Sequence, residues 1–188
     1  MSSLRKTIEV VTKLAEQGVI EAYAIAGAVA ALNYIQPTLT EDLDILISID
    51  HFDKRASGLI LLGPIEAALA KMGYSERSDV GILIEGWPVQ FLPVASPLDE
   101  EALEQAVEIE IDSTGTPPLR ARSIRAEHLV ATALKVGRLK DLARIQAFLE
   151  QRAVDLAALK DILKRHDLMG AWAAFCLKAG IENPLGKT

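Results

Sequence analysis

The sequence predicts an α+β fold, in which a mixed β-sheet with flanking helices is followed by a helical C-terminal third. Short apolar or alternating segments separated by turn residues occupy the first two thirds, whereas apolar residues recur at helical spacing from Arg125 onward. Strands that precede a run of helices are typical of the α+β class. Half of the 188 residues are hydrophobic and 24% are charged, so the chain can build a full core and global disorder is excluded.

The N-terminal elements follow from apolar spacing and from turn residues. Leu4, Ile8, Val11 and Leu14 lie at helical spacing, and Gly18 suits the position after a helix end. The next predicted elements are a buried strand at 19–26, a helix at 28–35 ended by Pro37, a strand at 42–49, a polar loop at 50–58 and a helix from Pro64 to about Gly73.

The second half adds strands and then helices only. Residues 80–85 and 89–94 predict a hairpin that turns at 86–88, and residues 98–106 a helix with an acidic first turn. Residues 107–112 alternate strictly, so we expect a half-buried strand, paired antiparallel with a short strand at 119–123. Four helical segments follow, with breaks near Gly137, Arg152 and Gly170. We expect one compact unit: a core at 1–124 and a helical portion at 125–188 packed on it.

Charge and cysteine content narrow the function classes. A formal net charge of −6 argues against nucleic-acid binding through a uniformly basic surface. Residues 118–144 nevertheless hold seven basic and two acidic side chains, which favours a local cationic surface for phosphates. The single cysteine, Cys176, excludes an intrachain disulfide. The N-terminal segment is amphipathic and no apolar run reaches membrane-spanning length, so we expect a soluble cytoplasmic protein.

Two aspartates provide the strongest functional signal. Asp42 and Asp44 open an apolar segment, and residues two apart on a strand point to the same side. Two carboxylates side by side resist burial unless a cation lies between them, and Mg²⁺ prefers such oxygen ligands. The alternative is that these residues merely begin a strand. Upstream, Gly27-Ala28 follows a strand and opens a helix, where backbone N–H groups can receive a phosphate.

This arrangement resembles the nucleotidyltransferase superfamily, whose signature is a strand, a Gly-Gly or Gly-Ser turn, a helix and Asp-x-Asp on the next strand. The matching residues are Gly27-Ala28 and Asp42-Leu43-Asp44. The segment from Glu127 to Ile145 is similar to the paired helices of small members, in which a Lys, an Arg and a Lys-Asp pair recur. The nearest named group is the minimal nucleotidyltransferase and AbiEii-like toxin set, and the likeness covers about residues 20–150.

The resemblance implies a role for each matching residue. Asp42 and Asp44 would be catalytic ligands of Mg²⁺ or Mn²⁺, and Gly27 and Ala28 would contact the nucleotide through their backbone. Thr40, like Thr38, lies where a hydroxyl can reach phosphate or simply satisfy loop backbone. The candidates for triphosphate or acceptor contacts are Lys135, Arg138 and Lys140. Lys135 and Arg138 are predicted to share a helix face, and Asp141 to hold this group by an ion pair; a solvated face is the alternative.

One family feature is missing. The family has a third carboxylate on a later strand, and the matching position here is Gln90. Glutamine is neutral and is a poor ligand for a second Mg²⁺. Three interpretations stay open: one metal ion suffices and Gln90 orients the acceptor, another acid such as Glu85 or Asp79 substitutes, or the site binds nucleotide without turnover. His51, His128 and His166 show no ligand spacing, so we predict neither a zinc site nor a catalytic triad.

We therefore expect a Mg²⁺-dependent nucleotidyltransferase that moves a nucleoside monophosphate from an NTP to an RNA or protein hydroxyl. The resemblance implies a toxin–antitoxin setting, with a cognate antitoxin or a second copy of the chain as partner. The alternative is a catalytically attenuated nucleotide-binding or partner-binding module of the same fold. A third, simpler hypothesis is an α+β domain whose aspartates hold a structural cation.

Overall fold

A computed structural model describes residues 3–36, 40–48, 62–112 and 118–186. Within these ranges the chain forms eight helices and six strands. The helices are α1 (Ser3–Glu16), α2 (Gly27–Ala31), α3 (Gly63–Lys71), α4 (Pro97–Glu104), α5 (Ala126–Val136), α6 (Leu139–Glu150), α7 (Leu156–Arg165) and α8 (Met169–Ala179). The strands are β1 (Ala22–Ile25), β2 (Leu43–Ser48), β3 (Ile82–Ile84), β4 (Trp87–Pro93), β5 (Val107–Asp112) and β6 (Leu119–Ser123). The predicted α+β class is confirmed.

The strands form one mixed sheet in the order β3-β4-β2-β1-β6-β5. The central strand β2 is antiparallel to β1 and parallel to β4, and β1 is parallel to β6. The hairpins β3-β4 and β5-β6 lie at the two edges of the sheet, with β3 and β5 as the edge strands. The second hairpin is the antiparallel pair that the alternating sequence predicts. Consequently the start of β2, the start of β4 and the ends of β1 and β6 all lie at the same edge of the sheet.

Local chemistry explains where the elements begin and end. The α1 face with Ile8, Val11 and Leu14 is fully buried, as its spacing predicts. The β3-β4 turn differs from the prediction: it uses Glu85 (φ 51°) and Gly86 (φ 86°), while Trp87 already belongs to β4. Two consecutive positive φ angles are those of a tight type I′ hairpin turn, whose twist matches that of the strands. The predicted features at Pro37, Ile49 and 50–58 lie outside the described residues.

The helical third begins where β6 ends. Gly137, in the left-handed conformation, ends α5, as predicted, and Arg138 immediately precedes α6. The last break falls at 166–168, and not near Gly170, which lies inside α8. Asp155 caps α7 because its side chain accepts hydrogen bonds from the Ala157 and Ala158 N–H groups. Across the described segments, no helix combines the length and the apolar character that a membrane span requires.

A partly buried polar cluster links α4 to α5 and to the end of α7. Glu101 lies 3.2 Å from Nε2 of His128 and 2.7 Å from Nε2 of His166, and it also pairs with Arg165. His128 and His166, which show no ligand spacing in the sequence, thus meet at one carboxylate in the fold, whereas His51 lies outside the described residues. His128 is fully buried, and its Nδ1 has no partner in the part of the chain that the structure describes. The described residues contain no group of three potential ligands that would make this cluster a metal site.

This cluster predicts loss of stability in acid. Burial holds the pKa of His128 below its ordinary value, and the hydrogen bond from Arg165 helps to lower the pKa of Glu101 to about 2. The unfolded chain takes up these protons first, at about pH 6.5 for His and 4.5 for Glu, so each group favours unfolding as the pH falls below that value. We expect the melting temperature to fall from pH 7 to pH 4, and His128→Gln to flatten the part just below pH 6.5. An unchanged pH profile in this variant would contradict the assignment.

Candidate active site

Asp44 lies at the sheet edge where four strand ends meet. Its neighbours Leu43 and Ile45 are fully buried on one face of β2, so the alternation of the strand turns the half-buried Asp44 to the other face. The Asp44 carbonyl accepts a 2.8 Å hydrogen bond from the Ala26 N–H group. The carboxylate is therefore held on a central strand beside the turn that follows β1.

Gly27 is the residue that makes room for this carboxylate. Its φ angle is +59°, and a Cβ atom built on it would lie 2.0 Å from Oδ2 of Asp44. A real side chain at position 27 would collide with the aspartate and would also strain the backbone. The next residue, Ala28, is buried and contributes to the wall of the cleft. The Gly27-Ala28 turn thus brings backbone directly against Asp44.

Asp42 precedes β2 and is positioned by Thr40. Oγ1 of Thr40 lies 3.2 Å from both Oδ1 and the carbonyl oxygen of Asp42. Thr40 therefore provides a hydrogen-bond partner for the loop backbone, which is one of the two roles predicted for it, and it also lines the cleft. Thr38 lies outside the described residues.

The two aspartates open into a cleft of about 750 Å³. Its lining contains acidic side chains and also basic side chains from α6 and the residue before it, and we call these basic residues the basic wall. The charged lining residues are Glu41, Asp42, Asp44, Asp79, Arg138, Lys140 and Arg144. A cleft of this size falls in the range of about 300–1,000 Å³ that small-molecule sites occupy.

The basic wall acts directly on Asp44. Burial and the neighbouring Asp42 raise the pKa of Asp44, and the positive charges of Arg138, Arg144 and Lys140 oppose this rise. These three cations come from one short stretch of α6 and the residue before it, and Lys140 and Arg144 share a helix face because they are four residues apart. The cations and the acids therefore face one common volume.

Asp141 holds two of these cations. It is 2% exposed and lies 2.6 Å from Nε of Arg138 and 3.6 Å from Nη1 of Arg144. The ion pair predicted for Asp141 is thus present, and it extends to Arg144. Sequence reasoning counted Arg144 among the basic residues but did not assign it to the site; its position three residues after Asp141 and four after Lys140 was the available signal.

Lys135 does not line the cleft. Its Nζ donates a 2.7 Å hydrogen bond to Oγ of Ser96, at the start of α4. The prediction that Lys135 and Arg138 share a helix face is wrong, because the left-handed Gly137 ends α5 between them. The candidate phosphate ligands in the cleft are therefore Arg138, Lys140 and Arg144.

Gln90 occupies the position beside Asp44. The parallel register of β2 and β4 pairs these two residues, and both are half-buried. Gln90 lines a second hollow of about 290 Å³, which shares Ser78, Asp79 and Val80 with the main cleft. Within the described ranges, neither the Gln90 side chain nor the Asp79 side chain has a hydrogen-bond or ion-pair partner.

The two acids considered as substitutes for the third carboxylate differ in position. Asp79 is exposed and stands where the cleft meets the hollow. Glu85 lies in the β3-β4 turn, accepts a 2.6 Å hydrogen bond from the Tyr74 hydroxyl and is 3.6 Å from Nζ of Lys6. Glu85 does not line the cleft, so Asp79 is the acid that the fold places nearer to the reacting region.

The Asp42 and Asp44 carboxylates give the cleft oxygen donors of the kind that divalent cations take. Two carboxylates approach each other closely enough for Asp42 to raise the pKa of Asp44, and the missing side chain of Gly27 leaves Oδ2 of Asp44 in close contact with backbone. Carboxylate oxygens are the ligands that Mg²⁺ and Mn²⁺ take in proteins. Among the described residues, no group of three His, Cys, Asp or Glu side chains could hold an ion.

No protein-family model matches the sequence, and no curated protein matches it either. Solved structures that match the chain include the following three. An antigenic nucleotidyltransferase-like protein from Paracoccidioides brasiliensis matches with a TM-score of 0.52 and 16% identity, over 90% of this chain and 91% of that one. The crystal structure of ANT(2'')-Ia in complex with adenylyl-2''-tobramycin has a TM-score of 0.47 and 14% identity, over 95% and 99%. The solution structure of the antibiotic-resistance factor ANT(2'')-Ia has a TM-score of 0.48 and 15% identity, over 94% and 97%.

The chain has a nucleotidyltransferase-like fold, as its two aspartates and its glycine turn predict. At 16% identity this likeness concerns the fold alone, and the function has to follow from the residues of the cleft. The particular resemblance to the AbiEii-like group stays a prediction.

Proposed function

We propose that this protein is a nucleotidyltransferase that uses Mg²⁺ or Mn²⁺ and transfers a nucleoside monophosphate from an NTP to an acceptor hydroxyl. The observation that carries the proposal is the meeting of three features in one cleft. These are the Asp42 and Asp44 carboxylates, the close backbone turn at Gly27, and the three cations of the basic wall. The aspartates can hold a metal ion, the turn can contact the nucleotide through its backbone, and the cations can bind phosphates.

The residues of the cleft have different roles in the proposed reaction. Asp42 and Asp44 would hold the divalent cation, which polarises the phosphoryl oxygens and offsets the charge of the leaving group. Arg138, Lys140 and Arg144 would bind the β- and γ-phosphates. The acceptor oxygen forms a bond to the α-phosphorus, the bond from that phosphorus to the β-phosphate oxygen breaks, and pyrophosphate leaves. The acceptor proton passes to a base or to solvent, and positioning and electrostatics provide the catalysis.

The hollow beside Gln90 is the proposed acceptor side. Its only cation in the described lining, Arg77, is paired with Glu66 at 2.7 Å, and Asp79 adds a negative charge. RNA binding depends on cations that neutralise several phosphates. Of the two acceptors that the sequence suggests, a protein hydroxyl therefore suits this hollow better than an RNA end. The toxin–antitoxin setting and a cognate antitoxin rest on the family resemblance alone.

A second candidate function is nucleotide binding without turnover. One observation favours it: the position next to Asp44 carries the neutral amide of Gln90, which cannot accept a proton at neutral pH. Both candidates require NTP and metal binding, and they differ in whether pyrophosphate is released. Pyrophosphate release by the wild-type protein in the presence of a protein acceptor, above the Asp42→Asn/Asp44→Asn blank, would identify the transferase.

The binding step common to both is tested by thermal shift with each of the four NTPs, with and without Mg²⁺ or Mn²⁺. We expect at least one NTP to stabilise the protein in a metal-dependent way, because a ligand at 100 times its dissociation constant adds about 2.7 kcal/mol to the free energy of unfolding. Asp42→Asn/Asp44→Asn should remove this shift without lowering the basal melting temperature by a similar amount.

Glu108→Gln/Glu110→Gln is the matched control, since it removes two carboxylates from exposed positions of β5, away from the cleft lining. This variant should retain the full NTP-dependent shift. An equal shift in wild type and in the aspartate variant would overturn the proposal, as would the lack of any shift with all four nucleotides.

A further inference from the structure

The strand pairing decides how many divalent cations the cleft can hold. Asp44 and Gln90 are register partners on parallel strands, and the residues before and after them, Leu43 with Val89 and Ile45 with Phe91, are buried. The side chains of Asp44 and Gln90 therefore project from the same face of the sheet, next to each other. A second cation beside Asp44 on the β4 side would face an amide, which supplies one neutral oxygen and no charge.

No other described acid fills this role. Asp79 and Glu85 are the acids nearest to the β3-β4 region, yet Glu85 is bonded to Tyr74 and lies outside the cleft lining. Asp79 is exposed at the rim, and within the described ranges it does not join Asp42 and Asp44 in a group of three that could hold an ion. Two divalent ions about 3.5–4 Å apart repel each other strongly and normally share several carboxylates. The two aspartates alone are too few for this purpose.

The basic wall supplies the charge that a second ion would bring. Arg138, Arg144 and Lys140 line the same cleft as Asp44, and Arg144 is held in place by the buried Asp141. Fixed cations can stabilise the charge that develops on a transferring phosphoryl group. These cations can therefore neutralise phosphate charge that a second divalent ion would otherwise neutralise.

We infer that the cleft binds one divalent cation with its nucleotide, between Asp42, Asp44 and the phosphates, and that Gln90 leaves the β4 side without a metal ion. The inference rests on the proposed function and deepens it. It also assigns Gln90 a positioning role: its amide is free to hold the acceptor hydroxyl, and the metal does not activate that hydroxyl. The cations of the basic wall then carry a larger share of the stabilisation of the leaving group.

The test counts manganese. Mn²⁺ is titrated into the protein with the α,β-methylene analogue of the NTP that stabilises it best, and bound Mn²⁺ is measured by electron paramagnetic resonance. We expect one Mn²⁺ per nucleotide complex in wild type and no spin-coupled pair. Gln90→Asp should bind a second Mn²⁺ and show the coupling of two ions about 3.5–4 Å apart. Gln90→Asn, which stays neutral and has the same length as aspartate, should keep one.

Two bound Mn²⁺ ions or a spin-coupled pair in the wild-type complex would overturn the inference, whatever the variants do. A folded Gln90→Asp protein that binds the analogue but holds only one ion would also count against it. These outcomes leave the proposed function intact. A wild-type protein that binds neither the analogue nor Mn²⁺ in an Asp42- and Asp44-dependent way would refute the proposed function itself, and the inference with it.

Discussion

We expect Gly27→Ala to weaken metal-dependent nucleotide binding strongly while leaving the protein folded. The added Cβ would lie 2.0 Å from Oδ2 of Asp44, so the aspartate must leave its place between the turn and the cleft. We expect the affinity for the stabilising NTP to fall on the order of 100-fold, about 2.7 kcal/mol. Part of the loss of stability has a separate cause, because alanine at φ +59° costs about 1–2 kcal/mol. Calorimetric titration with the NTP and Mg²⁺ measures the first effect and urea unfolding the second.

Gly18→Ala is the matched control for this experiment. Gly18 has nearly the same backbone angle, φ +68°, and a Cβ atom there would meet no atom within 4 Å. The control should therefore reproduce the backbone strain but keep nucleotide affinity. Equal NTP affinity in the two variants would contradict the prediction, because it would show that a side chain at position 27 does not disturb nucleotide binding through Asp44.

Asp141→Asn should weaken nucleotide binding even though it removes a negative charge near the phosphates. Asp141 is 2% exposed and orients Arg138 and Arg144, so its neutralisation frees Arg138 to move and leaves the partly buried Arg144 without its counter-charge. We expect about a tenfold loss of affinity, near 1.4 kcal/mol. The free energy of unfolding should fall by about 1–3 kcal/mol, the usual cost of leaving a buried polar group unsatisfied.

The control for Asp141→Asn makes the same charge change on the same helix. Glu150→Gln lies at the exposed end of α6, where Glu150 accepts a hydrogen bond from Gln146 at 2.7 Å. It should leave both affinity and stability nearly unchanged. Tighter nucleotide binding in Asp141→Asn would mean that long-range charge outweighs the orientation of the two arginines, which contradicts a positioning role for Asp141.

The sequence was sufficient where one local pattern decides the structure. The alternation at 107–112, the buried face of α1 and the strand that carries Asp44 could all be read from spacing, and the structure has each of them, although Asp42 lies just before that strand. The fold class followed because strands and helices are separated along the chain. Gln90 was placed beside Asp44 only through the family resemblance, and the β2-β4 register has it there.

Other features depend on contacts that spacing does not encode. Lys135 and Arg138 look like one helical pair until Gly137 takes the left-handed conformation between them. The meeting of His128 and His166 at Glu101 joins residues up to 65 positions apart, across three helices. The close approach of Gly27 to Asp44 likewise arises from the pairing of β1 with β2, and no local signal in the sequence predicts it.

The register of β2 and β4 also bears on how this cleft can evolve. Backbone hydrogen bonds hold position 90 beside Asp44, and they do not depend on which side chain position 90 carries. Glutamine and glutamate codons differ at a single nucleotide, so one point mutation is enough to put a carboxylate back at this position. The number of acidic side chains in the cleft can therefore change without a change in the strand pairing of the sheet. Lineages that share this sheet can gain or lose an acid at position 90 while the fold stays the same.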